Sequence, residues 1–324
     1  MCTAATYTGK DHYFGRNLDL ELSYNESVTV TPRKFPLKFR QVQDMNEHFA
    51  IIGMATVVAD YPLYYDATNE KGLSMAGLNF PGNADYKEPA EGVDNVASFE
   101  FIPWVLGQCE TVADVRELLA KINITNVKFS EQFPPSPLHW MISDKNESIT
   151  VEQTKAGLNV YDNPVGVMTN NPEFPFQMFT LNNYRRVSPK PVASTFADGL
   201  ELDEYTRGMG SMGLPGDLSS NSRFIKATFT KLNAPKMDDE NTSVSQFFHI
   251  LGSVEQQKGC CDVGNGKFEF TIYSSCCNVD RGIYYYKTYD NSRITAVDMH
   301  REDLDSEDLK SYKLIEEQQI FMQN

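Results

Sequence analysis

The sequence has no apolar run approaching the ~20 residues that a membrane-spanning helix requires, so no transmembrane segment is expected. It also has no basic excess. Its 29 Lys and Arg against 44 Asp and Glu leave a formal charge of −15, which argues against nucleic acid or an anionic membrane surface as partner. Metal-binding spacing is missing too. The five histidines, His12, His48, His139, His249 and His300, form no H-E-x-x-H pattern, and the six cysteines, Cys2, Cys109, Cys260, Cys261, Cys276 and Cys277, form no C-x-x-C. No secretory signal is read ahead of Cys2, so reduced thiols and a cytoplasmic location are expected, with Cys276-Cys277 inside a buried strand. No Pro- or Ser-rich linker, charge block or low-complexity stretch divides the chain, and residues 1–324 read as one domain.

What is present is concentrated at the start. Cys2 directly follows Met1, and a methionine before a small residue is commonly trimmed. Trimming would give one residue both a thiol (pKa roughly 8.5) and a free α-amine (pKa roughly 7.7–8.0). At neutral pH such an amine serves as base for its own thiol, the N-terminal form of nucleophile-plus-base catalysis. Cys2 to Thr8 reads as a strand, Gly9-Lys10-Asp11 as a turn, and His12 to Asp19 as the returning strand. That hairpin would bring Arg16 and Asp19 back towards Cys2. A guanidinium there favours the thiolate, and a carboxylate can orient the amine. As a surface ion pair, the same two residues would contribute little.

Further along, Ser27 to Thr31 alternates as a strand ending at Pro32, and Ala50 to Val58 reads as a buried strand. Ala59 to Tyr65 is read as an aromatic loop or strand edge, followed by a turn at Asn69-Glu70-Lys71-Gly72 and a strand over Leu73–Asn79. The pattern predicts a helix over Phe99–Cys109 with Pro103 in its first turn, then a helix capped by Thr111 with Asp114 at the capping-box position. Val112, Val115, Leu118, Leu119 and Ile122 make an apolar stripe of core-packing type. Trp140–Ser143 and Ser148–Glu152 flank a hairpin turn. Helices are predicted over Ser219–Leu232 and Ser243–Lys258, the second with Ser243 as cap, and strands over Lys267–Cys277, Ile283–Tyr289 and Ile294–Met299. Strands, then helices, then strands suit two antiparallel sheets covered by helices.

Met1-Cys2-Thr3, Phe14-Gly15-Arg16-Asn17-Leu18-Asp19, Asn69-Glu70-Lys71-Gly72-Leu73, Ala76-Gly77-Leu78-Asn79-Phe80, Leu138-His139-Trp140-Met141, Thr169-Asn170-Asn171-Pro172, and Leu214-Pro215-Gly216-Asp217 with Ser222-Arg223-Phe224 occur in this order. Together they resemble the choloylglycine hydrolases, the bile salt hydrolases and penicillin V acylases of the N-terminal-nucleophile superfamily. The resemblance runs from Met1 to about Met299. It implies an α+β fold, the αββα four-layer sandwich with two packed antiparallel sheets, and often a homotetramer.

The same resemblance implies the site. Cys2 is the nucleophile, supported by Arg16, Asp19 and Arg223, and no metal or organic cofactor is used. The side-chain amide of Asn170 and the backbone N–H at Asn79 form the oxyanion hole, with Asn170 chosen over Asn171 because it follows the motif threonine. Asn79 also favours bile salts, because a penicillin V acylase type carries tyrosine there. The implied substrates are glycine- and taurine-conjugated bile acids, cleaved through a thioester; the alternative is penicillin V or N-acyl-homoserine-lactone acylase activity on the same machinery. Conjugated bile salts are anions, so the charge of −15 opposes long-range steering and binding must rest on the apolar steroid face and local cations. Leu18, Tyr61, Tyr64 and Phe133 are assigned to that pocket. A Cys2/His139 dyad is disfavoured, since the amine makes an imidazole unnecessary.

Overall fold

The central strands of this chain are buried on both faces, and the two faces belong to different cores. Along Cys2-Thr3-Ala4-Ala5-Thr6-Tyr7, Cys2 and Ala4 enter one apolar cluster while Ala5 and Tyr7 enter another. Strand side chains alternate by two, so a strand roofed on both sides reads as nearly continuous apolar sequence. The computed structural model describes all 324 residues, Met1 to Asn324.

A hairpin of β1 (Cys2–Thr8) and β2 (His12–Leu20) opens the chain, followed by β3 (Ser27–Thr31), β4 (Ile51–Val58), β5 (Tyr61–Asn69) and β6 (Ser74–Asn79). A short parallel pair, β7 (Asp94–Ala97) and β8 (Ile122–Thr125), brackets helices α1 (Phe101–Leu106) and α2 (Val112–Leu119). Strands β9 (Leu138–Ser143), β10 (Ser148–Thr154), β11 (Gly157–Asp162) and β12 (Val167–Met168) precede α3 (Phe174–Thr180), α4 (Ser220–Leu232) and α5 (Glu240–Gly252). The chain closes with β13 (Asp262–Gly264), β14 (Lys267–Phe268), β15 (Phe270–Asn278), β16 (Ile283–Thr288), β17 (Thr295–Asp298) and β18 (Lys310–Lys313).

These make a six-stranded sheet, β12-β1-β2-β15-β16-β17, and an eight-stranded sheet, β11-β10-β9-β6-β5-β4-β3-β18. Every pairing in the two sheets is antiparallel. Their facing sides share one core that holds Cys2, Leu18, Ile52, Met54, Leu78, Tyr273 and Tyr284. The outer face of the larger sheet packs under α1 and α2 through Phe101, Val105, Val115 and Trp140. The outer face of the smaller sheet packs under α4 and α5 through Tyr7, Phe224 and Phe247. The result is the expected α+β arrangement of helix, sheet, sheet and helix layers.

Several predicted elements hold. The Thr111 capping box with Asp114 is formed, and Val112, Val115 and Leu119 of the stripe are core residues. Others are corrected. The first helix spans only Phe101–Leu106. Asp239 rather than Ser243 caps α5, its carboxylate accepting the Thr242 N–H, so the helix starts one turn earlier and Ser243 is buried within it. Ala59 and Asp60 are the two-residue link of a β4–β5 hairpin, both with φ in the left-handed region (50° and 60°), and Tyr61 to Tyr65 are strand.

Candidate active site

Within the first hairpin, Cys2 pairs with Leu18 and Ala4 with Arg16. Directly opposed residues put their side chains on the same face, so Cys2, Arg16 and Leu18 all face the gap between the sheets. Arg16 is fully buried there, donating from Nη1 to the carbonyls of Gly77 (2.6 Å) and Tyr65 (3.0 Å). Burial disfavours its charge, but the Cys2 sulfur, Tyr273, Asp66 and Asp19 around it outweigh that and hold the guanidinium firmly protonated.

Arg223 reaches the same hairpin from the other side. It sits in the first turn of α4, in the layer over the smaller sheet, and is 1 % exposed. Its Nη1 donates to the Cys2 carbonyl (2.5 Å) and Thr3 Oγ1 (2.6 Å), Nη2 to Asn170 Oδ1 (2.7 Å), and Nε to the Leu218 carbonyl (2.9 Å). Asp19 Oδ2 lies 3.8 Å from Arg223 Nη1, and Thr271 Oγ1 donates to Asp19 Oδ1 at 2.6 Å. Burial pushes the Asp19 carboxyl up, against the pull of Arg223 and the N-terminal amine. The Met1 amine donates to the Asp19 carbonyl at 2.6 Å and also to the Glu269 carboxylate.

Asn170 joins these parts. Its Oδ1 accepts the Cys2 backbone N–H at 2.8 Å as well as the Arg223 guanidinium, and its Nδ2 donates to the Asn79 carbonyl at 2.6 Å. The Asn170 backbone is pinned in turn, its N–H donating to Ser220 Oγ at 2.8 Å and its carbonyl accepting from Gln177 Nε2. The Asn171–Pro172 peptide is cis. Asn79 ends β6. The Phe80 N–H bonds the Pro137 carbonyl, and bonded pairs alternate along an antiparallel ladder. The Asn79 N–H and C=O therefore both point away from β9, while pairing of β6 with β5 stops at Asp66–Ala76. The Asn79 N–H is thus left unpaired by the ladder next to Asn170 Nδ2, and Asn170 Oδ1 ties this end of β6 to the Cys2 backbone. A pair of fixed donors next to a thiol is the layout that amide cleavage through a tetrahedral oxyanion needs.

The structure therefore gathers Cys2, Arg16, Asp19, Asn79, Asn170 and Arg223, with Leu18 alongside. Tyr61 starts β5 at the end of the larger sheet where β6 finishes in Asn79, edge-on to Phe99 (ring centroids 5.9 Å) and 5.8 Å from Phe129, against which Phe133 also packs at 6.1 Å. Tyr64 does not belong with them. A bulge opposite Met54–Ala55 places Tyr64 in the core under α1 and α2, where its hydroxyl meets Thr31 Oγ1 at 2.6 Å, and turns Tyr65 towards the inter-sheet core instead. His139 is no partner of Cys2 either, because Glu152 Oε1 (3.0 Å) and the Thr169 carbonyl (2.8 Å) occupy its two ring nitrogens. Thr3, Thr271, Gln177 and Ser220, which hold the core groups in place, carried no signal in the sequence.

Two polar clefts on the surface lie elsewhere. One is lined by His12, Lys145, Asp162 and Lys231 among others, the second by Arg33, Glu47, Glu70 and Asp305. No helix is long and apolar enough to cross a membrane.

Comparison with known proteins agrees with this geometry. The family model for linear amide C–N hydrolases of the choloylglycine hydrolase family matches residues 2–312. A bile salt hydrolase/transferase of Lactiplantibacillus plantarum is 58 % identical over 324 residues, covering 100 % of both chains. A bile salt hydrolase/transferase of Clostridium perfringens is 41 % identical over 97 % of both chains. Among solved structures, the C2A mutant of conjugated bile acid hydrolase from Clostridium perfringens superposes with a TM-score of 0.93 at 39 % identity, covering 100 % of each chain. Penicillin V acylase from Agrobacterium tumefaciens, at 19 % identity and a TM-score of 0.76 over 96 % of this chain and 90 % of that one, shares the fold. The chain belongs to the choloylglycine hydrolase family of linear amide C–N hydrolases.

Proposed function

We propose that the chain is a bile salt hydrolase that splits the amide joining a bile acid to glycine or taurine, with Cys2 as nucleophile. The observation that carries the mechanism is the position of Asn170, whose amide oxygen holds the Cys2 nitrogen and whose amide nitrogen lies against Asn79. Once Met1 is removed, the Cys2 nitrogen becomes the α-amine, held by Asn170 Oδ1 beside the Asp19 carboxylate. The amine takes the thiol proton, directly or through water, and Arg16 stabilises the thiolate. The sulfur attacks the amide carbon, and the oxyanion falls between Asn170 Nδ2 and the Asn79 N–H. The ammonium returns its proton to the leaving amino acid, and water then cleaves the thioester.

Leu18, Tyr61 and Phe133 form the apolar side on which the steroid lies, and alanine at these positions raises KM. Self-association into a homotetramer is supported by Val192, Phe196, Leu200, Leu202, Tyr205 and Met212, all exposed on a segment without regular structure. A cytoplasmic location fits six cysteines left unpaired.

Intact mass before and after mixing with glycocholate under acid quench tests the reading. The expected result is a chain lacking Met1 that gains a transient cholyl group, lost in Cys2→Ala. Retention of Met1 in active enzyme, or undiminished cleavage by Cys2→Ala, overturns it. Acylation by penicillin V in place of glycocholate keeps the machinery and changes the substrate.

A further inference from the structure

The site contains two arginines that burial removes from water, Arg16 and Arg223, and only one of them has a carboxylate within ion-pair distance. Asp19 lies 3.8 Å from Arg223. Arg16 has no carboxylate within ion-pair distance, and its Nη2 has no hydrogen-bond partner although it is fully buried. A buried charge is retained only when charge and hydrogen bonds around it compensate the loss of water.

The compensating group is on β5. Asp66 is 1 % exposed, directly after Tyr65, whose carbonyl Arg16 bonds. Three hydroxyls from the opposite sheet donate to its carboxylate. Tyr273 donates to Oδ1 at 2.7 Å; Tyr284 and Ser275 donate to Oδ2 at 2.7 and 3.0 Å. Burial pushes the Asp66 carboxyl up, and the Arg16 guanidinium and the three donors on its two oxygens pull it back towards the anion. Ser275 Oγ also accepts the Arg16 backbone N–H at 3.1 Å, so the cluster holds Arg16 directly through its backbone, while the carboxylate faces the guanidinium from beyond ion-pair distance.

We propose that Asp66 is a positioning residue of the hydrolytic site, the counter-charge that fixes the Arg16 guanidinium beside Cys2 and is itself fixed by hydroxyls of the facing sheet. The inference rests on Cys2 being the nucleophile. The charged and titratable groups facing Asp66 are Arg16 on β2, Tyr273 and Cys277 on β15, and Tyr284 on β16. Burial pushes both tyrosines well up and Cys277 up to about 12, so none of these three ionises in the working range. Around Cys2 itself the charged groups are Arg16, Arg223, Asp19, Glu269 and the α-amine. Asp66 thus acts on the thiol through the place it gives Arg16.

The test is the rate of Cys2 alkylation by iodoacetamide against pH, read by peptide mass on the full chain, together with glycocholate turnover. Loosening Arg16 withdraws its positive charge from beside the thiolate and outweighs the loss of the more distant Asp66 charge, so Asp66→Asn should raise the alkylation midpoint by roughly half a unit to one unit. It should also lower kcat about tenfold or more with KM within about twofold, because Arg16 loses its fixed position. Asp66→Glu retains the charge and should return the midpoint to the wild-type value. An Asp66→Asn midpoint equal to or below wild type overturns the proposal. Should Asp66→Asn fail to fold, Tyr273→Phe is measured with and without Arg16→Ala. A several-fold loss of kcat that appears only when Arg16 is present supports the proposal, and equal losses in both backgrounds overturn it. Cys2→Ala retaining turnover would instead fail the nucleophile reading, and remove the basis of both.

Discussion

Replacing Asn170 with aspartate separates the two tasks given to one side chain. Asn170→Asp preserves the shape and the acceptor oxygen that takes the Cys2 N–H at 2.8 Å and the Arg223 guanidinium at 2.7 Å. It removes the donor that now faces the Asn79 carbonyl at 2.6 Å. A single oxyanion donor is worth roughly 2.7–4 kcal/mol of barrier, or a factor of about 10²–10³ in kcat. The added negative charge opposes the developing oxyanion, so the loss should fall at the upper end of that range. Stability should change little. One net hydrogen bond is worth ~1 kcal/mol, and a carboxylate facing the buried Arg223 offsets it with a charge-assisted pair. The assay is steady-state release of glycine from glycocholate, with thermal unfolding in parallel. The expected outcome is a kcat down at least about a hundredfold, with KM and the melting temperature near wild type. A kcat within fivefold of wild type, in a folded protein, would refute the assignment of Asn170 Nδ2 to the oxyanion.

Other consequences are open to measurement. Burial, followed by the Lys231 charge, holds His12 down to about 4, so the native ring stays neutral while the unfolded ring takes a proton near 6.5. Its contribution is present above about pH 6.5 and is lost as pH falls towards 4, by up to about 3 kcal/mol. Denaturant midpoints for His12→Gln should accordingly fall less over that window than those of the wild type. Gly15 has no room for a side chain, because an added Cβ would lie 2.1 Å from the Ser275 carbonyl oxygen. Gly15→Ala should thus cost over ~2 kcal/mol in chemical denaturation by forcing β2 from β15, and a neutral result would deny the close approach. Asp239→Ala removes the cap of α5 and should cost about 1 kcal/mol in the same measurement, whereas an unaffected midpoint would mean that the helix is stabilised otherwise.

The sequence carried the groups that meet around Cys2 better than their supports. Cys2, Arg16 and Asp19 lie on one local hairpin, whose strand–turn–strand pattern spans nineteen residues and so could be read directly. Asn170 and Arg223 are remote in sequence, and only the motif order tied them to Cys2. The Thr111 capping box was legible because both partners lie within three residues. Tyr64 was misplaced because one bulge reverses which tyrosine of a Tyr-Tyr pair faces the site, and no periodicity marks such a bulge. The start of α5 was misjudged because Asp239 and Ser243 both follow the rule for a helix cap. Asp66 could not have been singled out, since its partners Tyr273 and Tyr284 lie more than two hundred residues away.

The place of β2 has a consequence for when the enzyme becomes active. Its neighbour on one side is β1, met after a three-residue turn, but its neighbour on the other is β15, with Phe14 opposite Cys277 and Asn17 opposite Ser274. During synthesis Cys2 leaves the ribosome at the very start, yet the strand that walls its hairpin is among the last fifth of the chain to be made. Pairings of such long sequence separation form late, because a large loop must close before they are rewarded. The earliest residue of this protein is thus a bystander until almost the whole polypeptide exists, and its reactivity is a property of completed assembly.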